Sequence, residues 1–132
     1  MPISALEKLQ MWLSTYPRWE GNPANICVLP KEIKEISHRA DVLGNTLVGY
    51  RCYVNLFWEI AGQGEDEKNA TCLLDFQNWV REQSVMGLAP KFGDVPASER
   101  IWTEKGGLTV GARIVTYTVT LVAEFMKVYK AT

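Results

Sequence analysis

The chain has little of what catalytic, metal-binding and disulfide-bonded proteins use most. Among 132 residues there are one histidine and three cysteines, and no two cysteines form a C-x-x-C pair. A zinc site would therefore lack ligands. No Walker loop, dinucleotide-binding glycine fingerprint, G-x-S-x-G elbow or H-E-x-x-H helix is present. We therefore predict a protein that is not an enzyme, with no catalytic, cofactor-binding or metal-binding residues.

The chain also lacks an excess of either charge and any long apolar run. Fourteen basic and fifteen acidic residues give a net charge of −1, and the Lys and Arg residues are scattered. This argues against tight binding to the phosphates of DNA or RNA. The apolar stretches are too short to cross a bilayer. The start, residues 1–4, has no basic segment before an apolar run. We expect a protein that is made and kept in a reducing cytoplasm.

What the chain does have is the composition of a globular domain. Hydrophobic residues make up 47%, with five Trp and five Tyr, so residues 1–132 are predicted to form a single domain. Cys27, Cys52 and Cys72 stand in apolar contexts and are expected to be small buried core residues. The alternative is that one of them forms a nucleophilic pair with His38.

The strongest pattern is a strand over residues 114–126. Apolar side chains alternate with a face that includes three threonines; the apolar face consists of Val115, Tyr117, Val119, Leu121, Ala123 and Phe125. Thirteen residues span about 43 Å, more than twice the usual strand. Such a strand is expected to bend or to carry one end beyond the core.

Three further elements have clear patterns. A helix is predicted over Ala5 to about Thr15, and a strand over residues 48–60 has one fully apolar face. A second helix begins at the acidic residues Glu65, Asp66 and Glu67 and ends near Gly87, a residue type that suits the position after a helix C-terminus. Its apolar face is predicted to consist of Cys72, Leu73, Phe76, Trp79 and Val80.

The remaining segments are less regular. Ile26 to Leu29 predicts a brief strand closed by Pro30, and residues 31–47 have only a weak pattern, which we interpret as a mobile arm. Residues 99–104 predict a strand, residues 105–107 a hairpin turn, and residues 108–113 a projection from the sheet. The order of elements is helix, strand, arm, strand, helix, strand, strand. It predicts an α+β fold, a two-layer sandwich with a mainly antiparallel sheet and two helices on one face.

With its helices and strands in this order, the chain resembles a tail terminator, or a related minor structural (tail-completion) protein, of long-tailed bacteriophages or prophages. The resemblance rests on the opening helix ending near Trp12-Leu13 and on Leu29-Pro30, and it covers nearly the whole chain. It also rests on the aromatic-rich strand at 51–58, the helix at 69–80 with its Leu-Leu and Trp-Val pairs, the loop at 87–90, and the closing strand with Tyr117, Phe125 and Tyr129.

The resemblance implies a virion structural protein that forms a hexameric ring on the tail tube, stops its polymerisation and offers a surface for head–tail joining. The implied partners are other copies of the chain, the major tail tube protein and the head–tail connector. DNA would pass through the ring without specific binding, and no membrane is involved. The implied location is the host cytoplasm during assembly and then the virion tail.

The arm and the predicted hairpin at 103–113 supply the candidate assembly-interface residues, which are Lys31, Lys34, His38, Arg39, Lys105 and Arg113. Because Arg113 interrupts the strand alternation, Arg113→Glu is expected to impair assembly while leaving folding intact. One alternative function is a head-completion, neck or other minor capsid protein. Another, from a different class, is a small α+β enzyme or ligand-binding domain with a pocket lined by Trp58, Trp79 and Tyr117.

Overall fold

The computed structural model describes residues 5–16, 26–61, 66–110 and 114–131. Within them lie two helices, α1 (Ala5–Leu13) and α2 (Asp66–Val85), and four strands. The strands are β1 (Cys27–Ala40), β2 (Thr46–Ala61), β3 (Arg100–Val110) and β4 (Ile114–Tyr129), with a short 3-10 turn at Pro96–Ser98 before β3. The predicted α+β class is confirmed.

The four strands form one antiparallel sheet in the order β1-β2-β4-β3. The two central strands, β2 and β4, each have 16 residues and pair along their full length, from Thr46 opposite Tyr129 to Ala61 opposite Ile114. β1 and β3 are the two edge strands. Residues that stand directly opposite each other share a face of the sheet, so this register fixes which side chains lie together.

The core lies between the helices and one face of the sheet, which we call the helix face. The alternation in β4 places its apolar residues there, and Trp58 of β2 stacks on Tyr117 of β4 with ring centroids 5.2 Å apart. Both helices lie on this face, as predicted. We call the other face, which bears Tyr53, Trp102 and Val122, the open face.

The apolar residues from which the two helices are predicted also pack them against the sheet. Leu9, Trp12 and Leu13 of α1 are buried, and Trp12 stacks on Trp79 of α2 with centroids 5.1 Å apart. In α2, three residues of the predicted stripe are buried, namely Leu73, Phe76 and Val80. The helix ends as expected, because Gly87 adopts a positive φ of 73° and its N–H bonds the carbonyl of Ser84.

Two segments differ from the sequence-based prediction. The brief strand closed by Pro30 and the arm at 31–47 are in fact one 14-residue strand, its turn and the start of β2. Pro30 is tolerated because β1 is an edge strand, where a missing N–H need not break a ladder bond. The weak sequence pattern also has a physical cause: every residue from Leu29 to Ala40 is exposed, so neither face requires apolar side chains.

The second correction concerns residues 105–110. Lys105 and Gly106 form a bulge inside β3, where the register shifts between Glu104 and Gly107, rather than a hairpin turn. Lys105 takes up the bulge with a φ of 49°. Beyond it the strand continues to Val110, and Leu108 pairs with Tyr117 and packs against the core. The predicted projection is therefore wrong for residues 108–110, and residues 111–113 lie outside the described part of the chain.

Candidate functional site: an exposed hairpin, an apolar groove and a charged sheet face

The free edge of β1 is built to resist indiscriminate pairing. It contains Pro30, which has no N–H to donate, and two register shifts, one between Pro30 and Glu32 and one between Glu35 and Ser37. Charged residues fill much of the segment 31–39. Proline, bulges and charged side chains are the features by which natural sheets block edge-to-edge association. Any specific contact made by this strand is therefore expected to depend on its side chains and its end rather than on its backbone edge.

The structure divides the candidate interface residues of β1 between both faces of the sheet. Lys34 stands opposite Arg51 on the open face, with its ammonium 5.4 Å from the centroid of the Tyr53 ring. Arg39, opposite Leu47, also faces that side, whereas His38, opposite Val48, faces the helix side. Lys31 lies at the bulge between Pro30 and Glu32. All four are exposed, but they do not form one basic patch.

Neighbouring carboxylates offset the positive charges of this strand. Lys34 lies 3.6 Å from Glu32, and Nδ1 of His38 lies 2.7 Å from Glu35. Lys105 is exposed in the bulge of β3, at the opposite edge of the sheet. Arg113 lies outside the described residues. The five described residues of the predicted set are thus not brought together.

The turn between β1 and β2 has a feature that the sequence analysis missed. Val42 and Leu43 are adjacent and are 101% and 78% exposed. We call residues 41–45 the tip. An Asp-Val-Leu-Gly-Asn segment gives an ordinary turn signal, and only the presence of two aliphatic residues inside it, where polar ones are usual, could have drawn attention to it.

Hydrogen bonds hold the tip in one conformation. The Asp41 carboxylate accepts bonds from the N–H groups of Leu43 and Asn45, both at 2.9 Å, and from the Asn45 side chain at 3.1 Å. Desolvation opposes ionisation of Asp41, but these bonds outweigh it and lower the pKa of the carboxyl. The Asn45 side chain in turn accepts a hydrogen bond from the N–H of Ala131 at 3.0 Å, which ties the tip to the segment that follows β4. Val42 and Leu43 are therefore displayed on a rigid support.

An apolar groove of about 390 Å³ opens on the helix face, between α1, β1 and the loop that follows α2. It is lined by Ala5, Leu9, Pro30, Ile33, Cys52, Val54, Phe92, Leu121, Ala123, Phe125 and Lys127. Phe125 forms its aromatic wall with Phe92, at 6.2 Å between centroids. Lys127 contributes a positive charge, and the other described residues of the lining are uncharged. The groove has the size and lining of a site for aliphatic side chains.

The loop beside the groove is fixed to β4. The N–H of Asp94 bonds the carbonyl of Met126 at 2.7 Å, and its carboxylate accepts the N–H of Val128 at 2.8 Å. Gly93 lies so close to this strand that a Cβ there would stand 2.4 Å from the Met126 oxygen. These contacts hold Phe92 in place as one wall of the groove.

The open face has its own electrostatic centre. The side chain of Glu124 is 10% exposed. Its carboxylate accepts hydrogen bonds from Nε of Arg51 at 2.9 Å and from Nη2 of Arg100 at 2.7 Å, and it also forms an ion pair with Nη2 of Arg51. Burial raises the pKa of Glu124, but the two guanidinium groups outweigh this effect and lower it overall. Both arginines also lie over the Trp102 ring, at 5.6 and 5.5 Å from its centroid. This cluster locks β2, β4 and β3 together.

The cysteines are less buried than predicted. Cys27 is exposed, because it lies on the edge strand and, opposite Phe57, on the open face, whereas Cys52 and Cys72 are half-buried at the margin of the core. Burial raises the pKa of the Cys52 thiol, which is opposite to the activation that a nucleophile needs. His38 pairs with Val48, which is four residues along β2 from Cys52, so His38 and Cys52 lie about 13 Å apart along the strands. The Nδ1 atom of His38 is hydrogen-bonded to Glu35 instead. No Cys52–His38 pair is formed.

The aromatic residues of the enzyme alternative belong to the core. Trp58 and Tyr117 are 7% and 1% exposed and stack on each other, and Trp79 packs against Trp12 and Tyr16. They fill the space between helices and sheet. In the described ranges, no three His, Cys, Asp or Glu residues are grouped so that they could hold a metal ion.

Neither described helix is long and apolar enough to cross a membrane. No protein-family model matches the chain, and neither does any curated protein or solved structure.

Proposed function

We propose that the chain is a structural subunit of a bacteriophage tail, a tail terminator that assembles into a six-membered ring on the tail tube. The resemblance described above supplies this identity, and the shape of the sheet supports it. The proposed partners are further copies of the chain, the major tail tube protein and the head–tail connector. Assembly would occur in the host cytoplasm and the product would reside in the virion tail.

The observation that carries the proposal is a sheet that is larger than its core. A strand of 16 residues extends to roughly 53 Å, whereas a compact globule of this length has a radius of gyration of about 14 Å and a diameter of about 36 Å. Of the 14 residues of β1, only Val28 is buried. A long strand exposed on both faces buries little apolar surface within its own chain, and a subunit of an assembly can use such a surface for contact.

The two ends and edges of the sheet offer different chemistry, which suits a ring. The β1–β2 hairpin ends in an apolar tip, while the groove opens elsewhere on the helix face. A contact between two different patches is heterologous, and repeating it about an axis produces a closed ring when the rotation closes. The net charge of −1 is compatible with a ring through which DNA passes without strong attachment.

The proposal is tested by measuring mass across a concentration series and imaging any large species. We expect a monomer that associates with concentration into six-fold rings, and capping of tail tubes purified from a phage that encodes this chain. A protein that stays monomeric at all concentrations and caps no tube would contradict the proposal. Binding to the connector but not to the tube would instead favour the neck or head-completion role.

A further inference from the structure

We infer that the tip of one copy docks in the apolar groove of the next copy, with Val42 and Leu43 as the inserted side chains. The inference rests on the proposed ring function and adds the contact that closes the ring. It begins from two apolar features of the described surface: a tip that displays two aliphatic residues, and a groove that is lined by aliphatic and aromatic residues.

A tip cannot reach the groove of its own chain. The β1–β2 ladder remains paired up to Ala40 opposite Thr46, and the N–H of Asp41 bonds the carbonyl of Asn45 at 2.9 Å. From Ile33, in the groove wall, to Ala40 there are seven residues, or about 23 Å of strand. The hairpin therefore carries Val42 and Leu43 away from the groove along the strand axis. A tip that enters the groove therefore belongs to another copy.

The chemistry of the two surfaces is complementary. Branched aliphatic side chains gain most by leaving water for a preformed apolar cleft, and the groove walls, including Ile33 and Phe125, provide one. Asp41 is the only charged residue of the tip, and its lowered pKa keeps it ionised at neutral pH. Lys127 is the charged residue among the described residues that line the groove. The negative charge of Asp41 in the tip thus complements the positive charge of the groove.

The rigid tip and the fixed loop lower the cost of docking. Asp41 and Asn45 already hold the turn, and the bonds of Asp94 to β4 already hold Phe92, so little ordering is needed when the surfaces meet. One such contact buries less than a standard protein–protein interface. In a ring each copy makes it twice, once with its tip and once with its groove, so closure strengthens contacts that are weak individually. Concentration-dependent association follows.

Cross-linking tests the contact directly, because Cys52 is already in the groove wall. The probe protein carries Leu43→Cys, and its exposed Cys27 is changed to Ser. It is treated with a short bis-maleimide at a protein concentration on the order of 0.1 mM, because a contact smaller than a standard interface is expected to be weak. We expect a ladder of linked copies that ends at six, and peptide mapping that joins position 43 of one copy to Cys52 of another. The control adds Cys52→Ala and should lose the ladder.

A second measurement uses the protein without added cysteines. Leu43→Asp should lower the association constant at least tenfold with no change in thermal stability, since the side chain is solvated in the monomer. The matched control is Leu74→Asp, which introduces the same charge at a leucine of α2 that is 65% exposed and belongs neither to the tip nor to the groove lining. Association of the control should equal that of the unchanged protein.

The outcomes separate the docking contact from the ring function. Links from position 43 to Cys52 between copies, without closure at six and without tail-tube capping, would support docking and contradict the terminator function. Six-fold rings without those links, and unaffected by Leu43→Asp, would overturn docking and leave the function standing. Links only between two copies of position 43, or only within one copy, would also overturn docking, as would a groove closed to the reagent by its own chain.

Discussion

The carboxylate of Glu124 is predicted to be the most important charged group for the stability of the sheet. It is 10% exposed and accepts charge-assisted hydrogen bonds from Arg51 and Arg100, on the strands that flank β4. Replacing it by glutamine keeps its size and one accepting oxygen, but places an NH2 group, which donates, against one of the two guanidinium groups, which can only donate. The variant therefore loses attraction and gains an unfavourable donor–donor contact.

The magnitude follows from the exposure of each partner. Hydrogen bonds to charged groups contribute about 1.5–3 kcal/mol, and breaking a fully buried ion pair costs about 3–5 kcal/mol. Because the side chains of Arg51 and Arg100 are 35% and 69% exposed, both can be hydrated again, and the cost falls to the lower range. We expect Glu124→Gln to lower the free energy of unfolding by about 2 kcal/mol, or the melting temperature by roughly 8 °C.

The same group predicts a pH dependence. The folded-state pKa of Glu124 is lowered from its ordinary value of 4.5, so its contribution is complete above about pH 4.5 and is lost as the pH falls through the folded-state value. The difference in stability between the unchanged protein and Glu124→Gln should therefore be largest near pH 7 and shrink toward pH 3. Denaturant unfolding followed by circular dichroism at both pH values measures it.

A matched control is the exposed pair of Glu32 and Lys34, whose side chains are 44% and 55% exposed. Glu32→Gln should change stability by less than about 0.5 kcal/mol, as is usual for surface ion pairs. The reasoning is refuted if Glu124→Gln and Glu32→Gln have the same small effect at pH 7, or if the Glu124→Gln difference does not decrease in acid.

Three further substitutions test the packing and the tip. Leu56→Ala, at a residue with no exposure, should destabilise the fold by about 2–5 kcal/mol; a loss below 1 kcal/mol would place it outside the core. Gly93→Ala would set a methyl 2.4 Å from the backbone oxygen of Met126, so we expect faster hydrogen exchange at the Val128 amide, and unchanged exchange would contradict this. Gly44→Ala has room, with Ala131 at 3.7 Å, but a φ of 82°; backbone strain should cost about 1–2 kcal/mol, measured by thermal unfolding.

The elements predicted best from sequence are those whose burial differs between two faces. β4 and β2 alternate because one face contacts the helices, and the predicted strands at 114–126 and 48–60 lie within the observed β4 and β2. The stripe of α2 was likewise predictable, since Leu73, Phe76 and Val80 bury against the sheet. In each case a single environment on one side determines the side-chain period.

The elements predicted poorly are those whose conformation is imposed by a neighbour. β1 is extended because β2 supplies its hydrogen-bond partners, and its exposed segment carries no period of its own. In β3, Lys105 and Gly106 give the signal of a turn, but pairing with β4 continues past them and absorbs them as a bulge. The groove joins residues from five separate segments, so no local pattern could reveal it. The tip was predicted as a turn, but its display of Val42 and Leu43 depends on exposure, which sequence does not specify.

The most direct test of the proposed ring is native mass spectrometry of the purified protein over a range of concentrations, with electron microscopy of the heaviest species. The chain has a mass of 14.9 kDa, so a six-membered ring has a mass of about 89 kDa. We predict that this species grows with concentration, shows six-fold symmetry and is lost in Leu43→Asp but retained in Leu74→Asp. A protein that remains a 14.9 kDa monomer throughout, or that forms only two-fold dimers, would contradict the ring.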